Sequence, residues 1–244
     1  MPTGPVDVPA VVRHAVPGRR LVAVWVNQVG GTTWRTDDDG PGLHVKWAPA
    51  GSGLDLDAEA RRLAWLAGRT PVPALQASTS GGDGDVLVTR TLPGRSAVDP
   101  HWLARPLDAV TAVGRGLRSL HDVLPVAGCP FSWSSADRLA AVRPDAGADV
   151  LRLLASPPPD DRLVVCHGDA CMPNTLVDDD GAWAAHVDLG ALGVGDRWAD
   201  LAVASWSTAW NVGPGYEDAL LEAYGVDRDE ERLHYYRALW DAGP

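Results

Sequence analysis

Residues 164–177 read Val-Val-Cys-His-Gly-Asp-Ala-Cys-Met-Pro-Asn-Thr-Leu-Val, and residues 185–190 read Ala-His-Val-Asp-Leu-Gly. The apolar ends of the first stretch predict two strands around a tight loop, with a further strand after a short turn. Asp169, Asn174 and Asp188 lie at the junctions of these elements, the first two being five positions apart. Ordinary turns also use Asp and Asn at such places. The stretch therefore supports either a plain hairpin or a site built from three oxygen-bearing side chains.

The spacing of these residues favours a site for phosphoryl transfer. Asp-x-x-x-x-Asn followed by Asp-x-Gly is the pattern of the catalytic and metal-binding loops of kinases. In that chemistry a carboxylate lies near the attacking hydroxyl, while an amide oxygen and a second carboxylate hold Mg²⁺ against the phosphates. Mg²⁺ prefers hard oxygen ligands of this kind. His167-Gly168 directly before the first Asp makes the match more specific than a lone Asp and Asn.

The composition is that of a globular protein of 244 residues, with 45% hydrophobic and 22% charged residues. Its formal net charge of −11 argues against a nucleic-acid or anionic-membrane partner, since both need a basic surface, and suits a cationic substrate. The sequence shows no leader-peptide pattern and no long apolar run, so we expect a soluble, cytoplasmic monomer or weak homodimer. Cys129, Cys166 and Cys171 lack metal-ligand spacing and are expected to be reduced packing thiols.

The N-terminal third predicts a nucleotide-binding hairpin. Strands are expected at residues 21–26, 34–36 and 43–47, with Gly30-Gly31-Thr32-Thr33 between the first two. Glycine N–H groups and threonine hydroxyls in such a turn can approach phosphates closely. A simple hairpin turn is the alternative interpretation of the same residues.

The only lysine of the chain, Lys46, lies on the third of these strands, where kinases place the lysine that contacts ATP. An amphipathic helix is predicted over residues 55–68, with Asp55 as N-cap and Gly68 as stop. Glu59 lies beside the apolar stripe of that helix and can reach back to Lys46, an ion pair that positions the lysine on the α- and β-phosphates. The alternative is a solvated helix glutamate.

A strand at residues 86–92 runs into Pro93-Gly94, and we place the domain boundary there: residues 1–92 form a nucleotide-binding lobe and residues 93–244 a catalytic and substrate-binding lobe. Backbone groups near Thr91 and Leu92 are expected to bind adenine. A helix from Pro106 carries Leu107, Val110, Val113, Leu117 and Leu120 on one face and is interpreted as core scaffold. Further helices are predicted at residues 132–142, 148–155, 193–210, 216–224 and 230–240.

Asp200, near the start of one of these helices, has two interpretations. It can accept backbone hydrogen bonds near His167, and so support the loop that carries Asp169. It can also be a first-turn acid stabilised by the helix dipole.

Taken together, these motifs resemble those of the aminoglycoside phosphotransferases, most closely the 3′-phosphotransferases. The resemblance is carried by His167–Asn174, Asp188-Leu189-Gly190, Gly195–Ala202, Lys46, the helix of Glu59, Leu92-Pro93-Gly94, Cys129-Pro130-Phe131 and Tyr236–Trp240, in that family's order, and covers nearly the whole chain. It implies an α+β, bilobal protein-kinase-like fold, in which an N-terminal antiparallel sheet with one helix precedes a mainly helical C-terminal lobe. It also implies phosphorylation of an aminoglycoside hydroxyl, expected to be the 3′-hydroxyl, with ATP (GTP remaining possible) and Mg²⁺.

By the same resemblance Asp169 is the catalytic carboxylate, Asn174 and Asp188 are the Mg²⁺ ligands, and Lys46 with Glu59 is the phosphate clamp. The acceptor pocket departs from the family. The segment between Phe131 and Leu163 is short, and Ser205-Trp206-Ser207 stands where the family often has an acid. The candidate substrate contacts are Asp137, Asp145, Asp149, Ser207 and Asp241.

Three alternatives remain at this stage. A kinase of the same fold could act on another small hydroxylated antibiotic or metabolite, because the discrimination lies in the acceptor pocket. A non-catalytic nucleotide-binding module would be expected to lack at least one of the kinase motif residues. All four of them are present: Lys46, Asp169, Asn174 and Asp188. A metal hydrolase using His167 and Asp169 lacks a second histidine at ligand spacing.

Overall fold

The structure, a computed structural model, describes residue 4 and residues 6–243. The chain separates into two compact units: one runs to Gly68 and includes Val72–Leu92, and the other contains Arg69–Pro71 and the chain from Pro93 onwards. The helices are α1 (Ala10–Ala15), α2 (Leu56–Leu66), α3 (Pro100–Leu103), α4 (Pro106–Val123), α5 (Ser135–Ala140), α6 (Ala148–Leu154), α7 (Trp198–Asn211), α8 (Glu217–Tyr224) and α9 (Glu230–Asp241). The strands are β1 (Leu21–Val26), β2 (Thr32–Thr36), β3 (Leu43–Ala48), β4 (Leu75–Gly81), β5 (Gly84–Arg90), β6 (Arg95–Ser96), β7 (Leu163–Cys166), β8 (Thr175–Val177), β9 (Trp183–His186) and β10 (Gly193–Asp196).

The first unit is an antiparallel sheet in the order β1-β2-β3-β5-β4. Its core is Trp34, Val45, Val86 and Val88, packed with Val12 of the short helix α1. Helix α2 packs against β3, β4 and β5. It begins as predicted, because the Asp55 side chain accepts a hydrogen bond from Ala58 N at 2.7 Å.

The second unit is mainly helical. Helix α4 packs against α8, and α7 packs against α8 and α9. Large side chains fill its core, including Trp102, Trp133, Trp198, Tyr224 and Tyr236. Two small antiparallel sheets, β10-β7 and β6-β8-β9, lie in this unit. The predicted α+β class, with an antiparallel sheet in the N-terminal unit and a mainly helical second unit, is confirmed.

Two sequence predictions for the second unit are wrong. Residues 193–196 form strand β10, paired with β7, and the helix begins only at Trp198. Glycine suits this strand because the chain at Ser132 and Trp133 packs on it: a Cβ at Gly195 would lie 2.7 Å from the Trp133 carbonyl oxygen. Such close backbone approach is one reason for glycine in a strand.

The other error concerns the apolar face of α4. Leu107 is 56% exposed, whereas Val110, Val113, Leu117 and Leu120 are buried. At 3.6 residues per turn, Leu107 points about 100° away from the centre of the stripe that the other four form.

In the described part of the chain, no helix is both long and apolar enough to cross a membrane.

Candidate active site

The loop His167–Asn174 connects β7 to β8 and carries Asp169. Gly168 has a φ of 87°, a conformation that favours glycine, and a Cβ there would collide with the Ala191 carbonyl. Trp133 Nε1 donates to the Gly168 oxygen at 3.2 Å. The loop ends in a 3₁₀ turn, Met172–Asn174, that leads directly into β8.

Both carboxylate oxygens of Asp169 receive hydrogen bonds from its own loop. Asn174 Nδ2 donates to Asp169 Oδ2 at 3.1 Å and to the Asp169 carbonyl at 2.9 Å. The Cys171 thiol donates to Asp169 Oδ1 at 3.1 Å. Burial and the neighbouring Asp169 carboxylate raise the pKa of Cys171, so the thiol keeps its proton as a donor. The carboxylate is held in one orientation while remaining partly exposed.

Asn174 and Asp188 lie on neighbouring segments. Val187 N donates to the Asn174 carbonyl at 2.9 Å, and His167 Nε2 lies 3.0 Å from the Val187 carbonyl. The next residue, Asp188, is exposed and has a φ of 62°, rare for a residue other than glycine. Because the Asn174 Nδ2 group faces Asp169, its amide oxygen points away from that carboxylate. An amide oxygen and an exposed carboxylate fit the hard donors that Mg²⁺ takes.

Asp200, at the start of α7, holds the first residues of the loop by hydrogen bonds to their backbone N–H groups. Its Oδ2 accepts from His167 N at 2.6 Å and its Oδ1 from Gly168 N at 2.9 Å. This is the first of the two arrangements that the sequence left open. The side chain is fully buried. Burial alone would raise the pKa of Asp200, but hydrogen bonds, first from His121 and then from the backbone, outweigh it and lower the pKa.

The sequence did not single out His121 or Tyr224 as part of this support. His121 Nε2 lies 2.9 Å from Asp200 Oδ2, and its Nδ1 lies 2.9 Å from the Tyr224 hydroxyl. His121 is on α4 and buried, as is Tyr224 on α8. A histidine beside Leu120 on an apolar face was the available signal, since a buried polar group needs a partner. The partner itself could not be identified from the sequence because it is 79 residues away.

Ser207 was predicted to contact the substrate, and in the structure its hydroxyl is engaged by other parts of the chain. The residue is fully buried on α7. Its hydroxyl accepts from Met172 N at 2.9 Å and from Asn211 Nδ2 at 3.0 Å. Ser207 therefore fixes the 3₁₀ end of the loop, as Asp200 fixes the other end.

In the first unit, Lys46 of β3 and Glu59 of α2 form the expected contact. Lys46 Nζ lies 2.7 and 2.8 Å from the two carboxylate oxygens of Glu59. Glu59 is buried, while the Lys46 side chain is 24% exposed. The buried carboxylate therefore holds the lysine ammonium group in a fixed position.

The glycine turn differs from its expectation. The Asn27 side-chain oxygen accepts from Val29 N at 3.1 Å and from Gly31 N at 2.7 Å, so these N–H groups are turned inward. Gly30 has a φ of 85°, and a Cβ at Gly31 would lie 2.5 Å from Leu54 Cδ1. The conformation at Gly30 therefore favours glycine, whereas a side chain at position 31 would meet the movable ends of the Leu54 and Asn27 side chains.

Thr32 and Thr33 belong to strand β2 and not to the turn, which corrects the predicted interruption. The Thr32 side chain is buried, with its hydroxyl 3.3 Å from the Gly30 carbonyl. At the end of β5, Thr91 N donates to the Gly42 carbonyl at 2.9 Å. Backbone groups near Thr91 and Leu92 were expected to bind adenine. The Thr91 N–H is already hydrogen-bonded within the unit, and the half-buried Leu92 follows it.

The candidate substrate acids have different surroundings. Asp137 accepts hydrogen bonds from the hydroxyls of Ser132 and Ser134 at the start of α5, and these lower its pKa. Asp145 and Asp149 are exposed and lie 3.9 Å from Arg143 and 2.9 Å from Arg152. Asp241 is exposed at the end of α9. All four acids are exposed; Asp137 lies in the first turn of α5, where its N–H donates to the hydroxyl of the N-cap residue Ser134 at 3.1 Å.

The described residues offer one cluster with metal-ligating side chains, His121, Cys166 and Asp200, and it is fully buried. It does not include Asp169, and Asp200 in it already accepts from His121 and the loop backbone. A hydrolytic metal site on His167 and Asp169 thus has no support in the described residues.

A kinase-like loop with an oriented carboxylate, next to amide and carboxylate oxygens, defines a phosphotransferase. The sequence matches the phosphotransferase enzyme family, APH, over residues 27–236, and the chain belongs to that family. An aminoglycoside 3′-phosphotransferase of Streptomyces fradiae is 34% identical over 82% of this chain and 85% of its own length.

Solved structures give the same result. The crystal structure of an aminoglycoside 3′-phosphotransferase of type VIII matches with a TM-score of 0.77 and 33% identity, over 94% of this chain and 95% of that one. Aminoglycoside phosphotransferase APH(3′′)-Id of Streptomyces rimosus, in complex with ADP and streptomycin, matches with a TM-score of 0.69 and 27% identity, over 93% and 94% of the two chains.

Proposed function

We propose that this protein transfers the γ-phosphoryl group of ATP to a hydroxyl of an aminoglycoside antibiotic, at the 3′ position, and so confers resistance. The observation that carries the proposal is the orientation of Asp169. Its two carboxylate oxygens are hydrogen-bonded by Asn174 and Cys171, in a loop whose ends are fixed by Asp200 and Ser207. Phosphoryl transfer depends mainly on positioning and electrostatics, which such a loop supplies.

In this proposal Asp169 accepts the proton of the acceptor hydroxyl as that oxygen attacks phosphorus. The partly exposed carboxylate can reach a bound hydroxyl, while its hydrogen bonds fix the direction of approach. General-base help of this kind contributes about 10²–10⁴-fold to a rate. His167 and Asp200 touch neither substrate and serve to hold the loop.

Asn174 and Asp188 would hold Mg²⁺ through oxygen atoms. When bound, the ion neutralises negative charge on the phosphates. In the first unit, Lys46, held by Glu59 at 2.7 Å, offers its ammonium group to the α- and β-phosphates of the nucleotide. The turn at Gly30 and Gly31 would admit phosphate by exchanging the Asn27 hydrogen bonds for hydrogen bonds to phosphate. Thr32, Thr33, Thr91 and Leu92 would shape the rest of the nucleotide site.

A cationic acceptor agrees with the net charge of −11 and with the exposed acids Asp145, Asp149 and Asp241. The 3′ assignment follows the name of the Streptomyces fradiae relative, while the Streptomyces rimosus relative carries a 3′′ designation.

The test is an ADP-release assay on the full chain with MgATP and, separately, MgGTP. The acceptors are kanamycin, neomycin, streptomycin and the 3′-deoxy compound tobramycin. Turnover of kanamycin and neomycin without tobramycin would support the 3′ position, whereas turnover of streptomycin alone would move the assignment to another hydroxyl. ATP binding without turnover of any of the four would contradict the aminoglycoside proposal.

A further inference from the structure

A short segment before α5 runs beside strand β10. Val194 N donates to the Phe131 carbonyl at 2.9 Å, and Trp133 N donates to the Val194 carbonyl at 2.8 Å. Ser132, between them, pairs with Val194 as a parallel bridge. These hydrogen bonds attach the segment to the strand that begins five residues after Asp188.

The indole of Trp133 reaches from this segment to the catalytic loop. Its Nε1 donates at 3.2 Å to the carbonyl of Gly168, the residue directly before Asp169. The Trp133 side chain is buried, and a Cβ at Gly168 would lie 2.8 Å from Trp133 Cδ1. The same Cβ would also collide with the carbonyl of Ala191, three residues after Asp188. Trp133 therefore contacts the catalytic loop through its side chain and the Asp188 side of the site through its backbone.

Arg138 of α5 lies over the same indole. Its guanidinium carbon is 5.1 Å from the Trp133 ring centroid, which is the distance of a cation–π contact. Among the described residues no carboxylate pairs with Arg138, its Nε is buried without a hydrogen-bond partner, and burial lowers its pKa. Because burying a guanidinium group without an acid is unfavourable, the indole face is its main favourable contact.

Trp102 of α3 provides a comparison within the same unit. It is fully buried, and the guanidinium carbon of Arg105 lies 5.2 Å from its ring centroid. The Trp102 Nε1 is buried without a hydrogen-bond partner, whereas the Trp133 Nε1 donates to Gly168. The two tryptophans therefore share burial and a cation–π contact, and they differ in the hydrogen bond to the catalytic loop.

We infer that Trp133 is a positioning residue for phosphoryl transfer, which holds the main chain before Asp169 at a fixed separation from the segment of Asp188, and that Arg138 fixes the plane of its indole. The inference rests on the proposed function, because it concerns the same two acids. The hydrogen bonds from α7 hold the catalytic loop itself, whereas Trp133 connects that loop to the segment with the second acid. Since the reaction depends on positioning, a small change in this separation lowers kcat without weakening ATP binding.

The experiment compares Trp133→Phe with Trp102→Phe, the same substitution at the matched position. A second replacement, 3-benzothienylalanine at position 133, keeps the shape of the indole and removes only its N–H, so it separates the hydrogen bond from packing. Arg138→Met removes the charge over the ring, and Arg138→Lys restores a charge. Each variant is measured for kcat, for the KM of ATP and of the aminoglycoside, for its urea midpoint and for hydrogen exchange of the peptide that covers residues 164–177.

We expect Trp133→Phe and the benzothienyl replacement to lower kcat by about tenfold, with the KM for ATP unchanged and faster hydrogen exchange in the loop peptide. Trp102→Phe should lower the urea midpoint to a similar extent as Trp133→Phe, while its kcat and loop exchange stay at wild-type values. Arg138→Met should lower kcat several-fold, and Arg138→Lys should recover most of the loss.

Wild-type kcat and loop exchange in the benzothienyl variant would overturn the inference and leave the proposed function standing. An equal fall in kcat in Trp133→Phe and Trp102→Phe would also overturn it, because the effect would then follow from lost packing. A wild type that phosphorylates no aminoglycoside overturns the proposed function, and loop exchange then decides the inference. Faster exchange in Trp133→Phe but not in Trp102→Phe would keep Trp133 as the residue that holds the loop, whereas equal exchange would overturn it.

Discussion

The catalytic loop and the acidic surface of the second unit are built in opposite ways. Loop residues are held by buried partners, with Asp200 at one end and Ser207 at the other. The acids Asp145, Asp149 and Asp241 are exposed. A buried polar network gains from a low-dielectric environment and tolerates little change. An exposed surface can be altered without unfolding the chain, so it is the region in which acceptor choice can differ between relatives.

The largest expected effect is the fall in kcat when Asp169 of the catalytic loop is replaced. Asp169→Asn keeps the shape of the side chain and its contact with Cys171 but removes the proton acceptor. We expect kcat to fall by about 10³-fold while ATP binding is retained. Steady-state kinetics and nucleotide calorimetry measure the two quantities. Asp179→Asn, an exposed aspartate of the same unit with a side chain 88% exposed, is the control and should leave kcat unchanged. Wild-type turnover in Asp169→Asn would refute the assigned role.

The buried support gives the next effect. His121→Phe keeps a ring against Tyr224 but leaves Asp200 without one donor. Because a buried acceptor then lacks a partner, the free energy of unfolding should fall by about 1–3 kcal/mol. We also expect kcat to fall by roughly tenfold as the loop loosens, with the KM for ATP unchanged.

Tyr224→Phe tests the same network one step further out. It removes only the hydroxyl 2.9 Å from His121 Nδ1, so its effect on kcat should be smaller than that of His121→Phe. Urea unfolding and steady-state kinetics measure both variants. Equal loss of stability with an unaltered kcat would restrict the network to a structural role.

Low pH should reduce the free energy of unfolding through His186, which lies next to the catalytic loop. His186 of β9 packs at 5.5 Å from His167, and burial, aided by His167, lowers its pKa to about 3 from 6.5. The unfolded chain binds a proton at this residue below pH 6.5 and the folded chain does not. The stabilisation is therefore complete above pH 6.5 and is lost as the pH falls towards 3.

From this residue alone, the free energy of unfolding should fall by about 2 kcal/mol between about pH 7 and about pH 5. Urea titrations at several pH values measure it. His186→Leu should flatten the dependence over that interval, where most carboxylates stay ionised. The same slope in wild type and variant would show that His186 is not its cause.

The smallest effects belong to the exposed acids. Asp145→Asn and Asp149→Asn change residues that lie in solvent beside arginines, and we expect acceptor KM to change by less than about twofold. Asp241→Asn, next to Trp240, should raise acceptor KM several-fold. Larger effects at Asp149 than at Asp241 would move the acceptor to the α6 side of the unit.

The sequence predicted the loop and the ion pair because their signals are local. The Asp169–Asn174 spacing, the Asp55 cap of α2 and the positions of Lys46 and Glu59 on adjacent elements each depend on a few neighbouring residues. The kinase-like class followed from these.

What the sequence could not provide depends on contacts between distant segments. Strand β10 exists because its glycines admit the backbone at Trp133, and glycine pairs otherwise argue against a strand. Ser207 was assigned to substrate because it stands where the family often has an acid. Its hydrogen bond with Met172 could not be identified from the sequence, because the two residues are 35 positions apart. The inward turn of the Gly31 N–H depends on the rotamer of Asn27. The ring contact between Trp210 and Trp240 requires α7 and α9 to pack side by side.

The central claim is that the Asp169 loop phosphorylates an aminoglycoside. The most direct measurement is mass spectrometry of kanamycin after incubation with MgATP and either the wild-type chain or Asp169→Asn. The account predicts a singly phosphorylated antibiotic with the wild type, with the phosphate at the 3′-oxygen in the fragment spectrum, and unmodified antibiotic with the variant. Equal phosphorylation of kanamycin by the wild type and by Asp169→Asn would contradict this account. Unmodified kanamycin with both chains, while the wild type still binds ATP, would also contradict it.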